Sequence, residues 1–323
     1  MKPILLLVLS GLPALTVRAE NTNAVELITD PQFAWGLRVE DRHKKERFIT
    51  WNTGTRQPIW HVFQGATKSC VADAAFHTFP PGGFTFRDDY LWLAIHPQGS
   101  EAAVIAGMNA LREYGGVPRA LGEPWPHFYL DQRISNPDGH LGEGSPSIAD
   151  IVRLDFTTSV RLLYDHRNAK AGYDQTLHAA QFVFFLTIQN LNHKSPGYGD
   201  YFWFGINLYD DRRPVTQFFA MRDPSWAKKK GTDKLIYDVG VRPFTDQIVG
   251  GGKWVEVRGD LLPHILAGLN ETWKRGFLAD SKDPKNYRIG STYLGWEIPG
   301  LNDAAMAVKG LSAVAVLKEK NKP

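Results

Sequence analysis

The side chains of this 323-residue chain that could move a proton fall into a few short segments. In Gly122-Glu123-Pro124-Trp125-Pro126-His127, prolines on both sides of Trp125 stiffen the backbone and aim Glu123 and His127 reproducibly. A Glu in a desolvated cleft can act as general acid, and a His as base near neutral pH. Equally, Trp125 can plug a core and Glu123 can form a salt bridge. Glu297, in Gly295-Trp296-Glu297-Ile298, is the second carboxylate to set beside Glu123. Two carboxyls about 5 Å apart suit retaining hydrolysis of a glycosidic bond, and about 6.5–9.5 Å the inverting reaction.

Other groupings suit other chemistry. Arg153, His178, Gln181, Asn190 and Tyr198 are the inventory of a lyase, which needs a neutraliser for a uronate carboxylate and a Tyr or His for the C5 proton. Tyr209-Asp210-Asp211-Arg212-Arg213 could bind calcium, but adjacent Asp side chains on a strand point to opposite faces, which favours an ion-paired turn. No cofactor is expected. The chain lacks a Gly-x-Ser-x-Gly elbow, a His-Glu-x-x-His pair, a P-loop and a dinucleotide fingerprint. Cys70 is the only cysteine, so no intrachain disulfide or thiolate zinc site forms, and a buried, inert role is expected for it.

The elements that must position these groups read as strands. With 30 Gly, 20 Pro and 12% aromatic residues, the composition favours short strands joined by tight turns. Alternating or wholly apolar runs cover 90–95, 128–131, 151–157, 181–189, 201–209, 293–298 and 311–317. Two helices are expected. One follows Asp260, with Leu262, Ile265, Leu266, Leu269 and Trp273 on one face and Gly276 closing it. The other spans Ser100 to Tyr114, where a strand is the competing reading. The fold class is all-β, a jelly-roll-like antiparallel β-sandwich with one or two peripheral helices.

Side chains alternate along each strand, so each strand divides into two faces. In Tyr201–Tyr209 one face carries Phe202, Phe204, Ile206 and Leu208, as a sandwich core does. The other carries Tyr201, Trp203, Gly205, Asn207 and Tyr209. Gln181, Arg153, His127 and Tyr129 fall on the corresponding faces of their strands, and Tyr293 and Glu297 share one. If these strands share a sheet, its outer face offers rings that stack on sugars and amides or guanidiniums that reach hydroxyls or uronates. The competing arrangement has the Asp260 helix covering that face. The pattern resembles secreted jelly-roll carbohydrate-active proteins in general, with no motif of one particular family. It implies that Glu123, His127 and Glu297 are acid/base groups, and that Arg153, Gln181, Tyr201, Trp203, Asn207, Tyr209 and Tyr293 bind a polysaccharide or oligosaccharide. A non-catalytic binding module and an assembly protein without a sugar ligand are the alternatives.

Lys2, the apolar run from Ile4 and Val17-Arg18-Ala19 read as a signal peptide cleaved after Ala19, which implies a secreted or periplasmic protein. Residues 20–323 are taken as one β-sandwich domain. Removing Lys2 and Arg18 lowers the net charge from +3 to +1, with 35 basic against 34 acidic side chains. No basic face with interleaved aromatics is present, so nucleic acid is not an expected partner.

Overall fold

A computed structural model describes residues 23–51, 56–73, 83–97, 103–136, 141–223 and 231–319. The expected leader over 1–19 and Ser100 lie outside the described residues. In chain order the strands are β1 (Ala24–Glu26), β2 (Leu37–Glu40), β3 (Glu46–Ile49), β4 (Trp60–Gly65), β5 (Phe84–Arg87), β6 (Leu91–Ile95), β7 (Val104–Asn109) and β8 (His127–Arg133). They continue with β9 (Ile151–Arg167), β10 (Gln181–Asn190), β11 (Tyr201–Asp210), β12 (Phe219–Arg222), β13 (Leu235–Asp238), β14 (Val255–Asp260), β15 (Tyr287–Glu297) and β16 (Asn302–Leu317). The helices are α1 (Ala110–Glu113) and α2 (Leu262–Lys274).

Among the described residues nine strands form one sheet in the order β12-β13-β11-β10-β15-β8-β4-β2-β3. The second sheet runs β14-β9-β16-β7-β6-β5, with β1 paired to β16. Pairing is antiparallel except for β2 with β4 and β11 with β13. This is the jelly-roll-like β-sandwich that the alternating runs predict. Between the sheets, Phe128, Leu130, Phe182, Phe184, Phe202, Phe204, Leu294 and Trp296 meet Leu154, Phe156, Val160, Met108, Ala304 and Met306 in one buried cluster. Phe156 and Phe184 touch across the sandwich with ring centroids 4.6 Å apart. Burying each such side chain contributes about 1.5–3 kcal/mol, so the inner faces fix the register and thereby what the outer faces present.

The helix expected over Ser100 to Tyr114 is instead strand β7 followed by the single turn α1. Val104, Ala106 and Met108 alternate into the core, and a two-residue period overrides the weaker helical stripe. Asn109 then caps α1, its Oδ1 accepting the Arg112 amide at 3.1 Å. Helix α2 forms as expected, with Asp260 Oδ1 accepting the Leu262 amide at 3.0 Å and Gly276 beyond its end at φ +82°. It does not cover the polar face. Gly268 brings it against Phe202 and Tyr237, on the core side of β11 and β13.

One close approach on the outer face is testable. A Cβ at Gly295 would lie 2.0 Å from the Phe128 carbonyl oxygen, which is backbone and cannot move aside. Gly295→Ala should therefore destabilise the protein by about 1–3 kcal/mol, read as a lower midpoint in a urea melt. An unchanged midpoint refutes the packing argument.

Candidate functional site

Four of the expected strands do share a sheet, and their registers lay out its outer face as rows. The first row runs from His127 on β8 through Glu297 on β15 and Gln181 on β10 to Asp210 on β11. The next is Phe63, Tyr129, Gly295, Val183 and Asn207. The third is His61, Asp131, Tyr293, Phe185, Gly205 and Asp238. Trp203 follows, between Thr187 and Ile236. Tyr129, Val183 and Phe185 are buried although they face outward, because Trp203, Ile236 and Tyr293 pack over them.

Glu297 gathers three side chains of this face around its carboxyl group. Its Oε1 accepts the Tyr129 hydroxyl and its Oε2 accepts the Trp125 indole N–H at 3.2 Å. His127 Nε2 stands 3.9 Å from Oε2, with its ring stacked on Trp125 at 5.3 Å. About a fifth of the Glu297 side chain remains exposed. Burial first, and then the Glu297 charge, hold the Tyr129 hydroxyl well above its ordinary pKa, so it stays a hydrogen-bond donor. Two donors, one on each oxygen, suit a carboxylate that attacks or accepts a proton. Tyr129→Phe removes one donor and should lower any activity that depends on Glu297 by about tenfold, the effect of one charge-assisted hydrogen bond. Steady-state rates of the two proteins check this, and equal rates would remove Tyr129 from the site.

Several expected site residues lie elsewhere. Glu123 is exposed, and its Oε2 accepts the Ala120 amide at 2.8 Å, so it closes a turn beside the face. Arg153 belongs to β9, in the other sheet, where it pairs with Asp155 at 2.8 Å. Tyr209 faces the core. Consecutive Phe182 and Val183 of β10 pair with Tyr209 and Asn207, so Leu208 is an extra residue that bulges β11 and breaks its alternation. The Tyr209 hydroxyl reaches Asp165 on β9 at 2.7 Å and its ring meets Trp296 edge-on. The same bulge turns Asp210 outward to Gln181, whose Nε2 donates to it at 3.0 Å. Arg212 pairs with Asp210 at 2.7 Å, which makes this segment the ion-paired turn favoured above.

Of the remaining lyase inventory, His178 is buried, with its ring nitrogens on the Asp174 amide and the Arg119 carbonyl. Asn190 is buried and holds the turn at Ser195 and Pro196. Cys70 is buried, and its thiol pKa is raised first by that burial. Among the described residues no group of three or more His, Cys, Asp or Glu is placed to hold a metal ion.

The face also carries groups that sequence reasoning missed. His61 Nδ1 lies 2.9 Å from Asp131 Oδ1, and Asp131 pairs with Tyr293 on the neighbouring strand. Asp223, just past β12, accepts from the Thr232 amide and hydroxyl at 2.7 and 2.6 Å, and the Thr232 hydroxyl oxygen accepts the Trp203 indole N–H at 2.9 Å. Asp223 thereby sits beside Trp203, near enough that its charge opposes ionisation of both Tyr129 and Tyr201. Asp238 is fully buried beside Gly205. Only the parallel pairing of β11 with β13 puts it there, and no periodicity signals that pairing.

No protein-family model matches the sequence, and no curated protein matches it either. Among solved structures the chain is similar to a family 11 xylanase from Neocallimastix patriciarum, at 12% identity and a TM-score of 0.38, over 79% of this chain and 99% of that one. It is similar to a family 12 xyloglucanase from Bacillus licheniformis at 10% identity and a TM-score of 0.39, over 78% and 98%. A third is endoglucanase cel12A from Rhodothermus marinus, at 11% identity and a TM-score of 0.36, over 80% and 99%.

Proposed function

We propose that the protein binds a polysaccharide on the outer face of the nine-stranded sheet and cleaves a glycosidic bond there, with Glu297 as the reacting carboxylate. The observation that carries this reading is Glu297 itself. It is partly exposed among Trp125, His127 and Tyr129, with a donor on each oxygen. Trp203, Tyr201 and Tyr293, in edge contact at 5.3 and 5.1 Å, supply the ring surface for stacking on sugars. Gln181 and Asn207 supply amides on the same face. Hydrolysis needs a second carboxyl group. Asp223 takes that role in place of Glu123, because it is half-buried and near enough to Tyr129 for its charge to be felt there, whereas Glu123 is exposed.

One observation favours a lyase over a hydrolase: the His61–Asp131 pair beside Tyr293. An Asp on Nδ1 orients the imidazole, and a His or Tyr so placed can take a sugar-ring proton. The deciding experiment incubates the chain from Glu20 onward with neutral and uronate polysaccharides, following reducing ends and unsaturated-uronate absorbance together, with affinity gels in parallel. Reducing ends alone support hydrolysis, and both signals together support the lyase. Retardation without product reduces the reading to a binding module. Silence in every assay overturns it. Trp203→Ala should weaken retardation by about tenfold or more, the loss of one stacked ring, whereas Glu123→Gln should leave it unchanged.

A further inference from the structure

Asp238 and Asn207 adjoin on the outer face, and both are buried. Asp238 Oδ1 accepts the Asn207 amide at 3.2 Å and the Gly240 amide at 2.8 Å. Among the described residues its Oδ2 has no hydrogen-bond partner, and neither has Asn207 Oδ1. A proton on Asp238 would complement both orphans, because a carboxylic acid O–H is a donor and an amide oxygen can only accept. Gly205 makes the room. A Cβ there would fall 2.5 Å from Asp238 Oδ2 and 2.6 Å from the Phe185 ring.

The surroundings favour the acid form. β10 and β12 present Phe185 and Phe219 to this position, and the charged groups that reach it are Glu297 from β15 and Asp210 from the end of β11, the latter paired with Arg212. Both acidic neighbours oppose a further negative charge. Burial is the larger cause, and together they push the Asp238 carboxyl up to about 7.

We propose that Asp238 and Asn207 share one proton, and that this proton fixes the Asn207 side-chain amide as a donor to sugar bound on the face. Asp238 is then a positioning residue, acting on the ligand through Asn207. The inference rests on the sugar-binding reading above. It adds a pH limit: as Asp238 ionises, two acceptors face each other, the Asn207 amide turns, and binding weakens.

NMR of the protein with 13C-labelled aspartate and 15N-labelled asparagine tests the shared proton without any ligand. One carboxyl should titrate near neutral pH and vanish in Asp238→Asn, and the Asn207 side-chain amide should shift with the same midpoint. Gly205→Ala, which displaces Oδ2 but keeps both partners, should uncouple the two signals. Affinity gels containing soluble xylan or hydroxyethylcellulose, run from pH 5.5 to 8.5, then test the positioning role. Wild-type retention should fall at least threefold across that range, and Asp238→Asn, which donates at every pH, should stay flat. A carboxyl midpoint near 4 or an indifferent Asn207 amide overturns the shared proton. Wild-type retention that does not vary with pH overturns the positioning role. No retention at any pH overturns sugar binding and the positioning role with it, while the NMR midpoints still decide the proton.

Discussion

Glu297→Gln should lower the rate of glycosidic cleavage by about a thousandfold or more while leaving polysaccharide retention close to that of the wild type. The substitution keeps size and shape. An amide oxygen still accepts the Tyr129 hydroxyl or the Trp125 N–H, but an amide neither attacks a sugar carbon nor takes up a proton. Tyr293 stands four residues before Glu297 on β15, and Trp203 and Tyr201 lie two strands away on β11, so the ring surface is untouched. Rate and retention therefore separate the reacting group from the platform. A variant that keeps its full rate removes Glu297 from the chemistry. A variant that loses retention and rate together makes Glu297 a structural support of the face. Asp223→Asn, assayed alongside, should give a comparable rate loss if it is the second carboxyl, because neither group substitutes for the other in a two-carboxyl mechanism.

Asp238→Asn should stabilise the protein against unfolding above neutral pH, by up to about 4 kcal/mol. The folded carboxyl is raised from 3.8 to about 7, so the native chain holds a proton that the unfolded chain has already released. Stability therefore falls as pH rises from about 4 to 7 and levels off once both states are ionised. Asp238 lies at the limit of burial, at 0% exposure, so solvent screening does not shrink the effect. Asn keeps the acceptor for the Asn207 and Gly240 amides and supplies a donor at the vacant oxygen without charge. Urea melts of both proteins at pH 4 and pH 8.5 measure this. The curves should nearly coincide at the lower pH and separate at the higher. Equal separation at both values would mean that packing, not ionisation, distinguishes the variant.

The rows of the candidate site show how much could be read before folding. The inward residues of β8, β10, β11 and β15 follow a two-residue apolar period, so the outward Tyr129, Gln181, Trp203, Tyr293 and Glu297 were legible as a set. That period is a local property of the chain, which is why it survives in the sequence. Arg153 was misplaced because alternation gives a strand's faces but not its sheet, and β9 joins the opposite one. Tyr209 was misplaced because one bulged residue inverts every side chain beyond it, and no residue type in Asn207-Leu208-Tyr209 announces the bulge. The Ser100–Tyr114 stretch carried both periods at once, and the core chose the strand.

The sequence by itself determined that this is an all-β sandwich with an aromatic, hydrogen-bonding outer face and Glu297 upon it, because burial selects apolar residues at every second position of each strand. It did not determine what stands beside Glu297. Tyr129 lies 168 residues away along the chain and meets it through pairing of β8 with β15. Asp223 is set on the face by Thr232 and Trp203, and Asp238 by a parallel pairing with β11. These contacts depend on which strand edges meet and in what register. Hydrogen bonding between backbones is indifferent to side-chain identity, so the packed tertiary structure alone decides them.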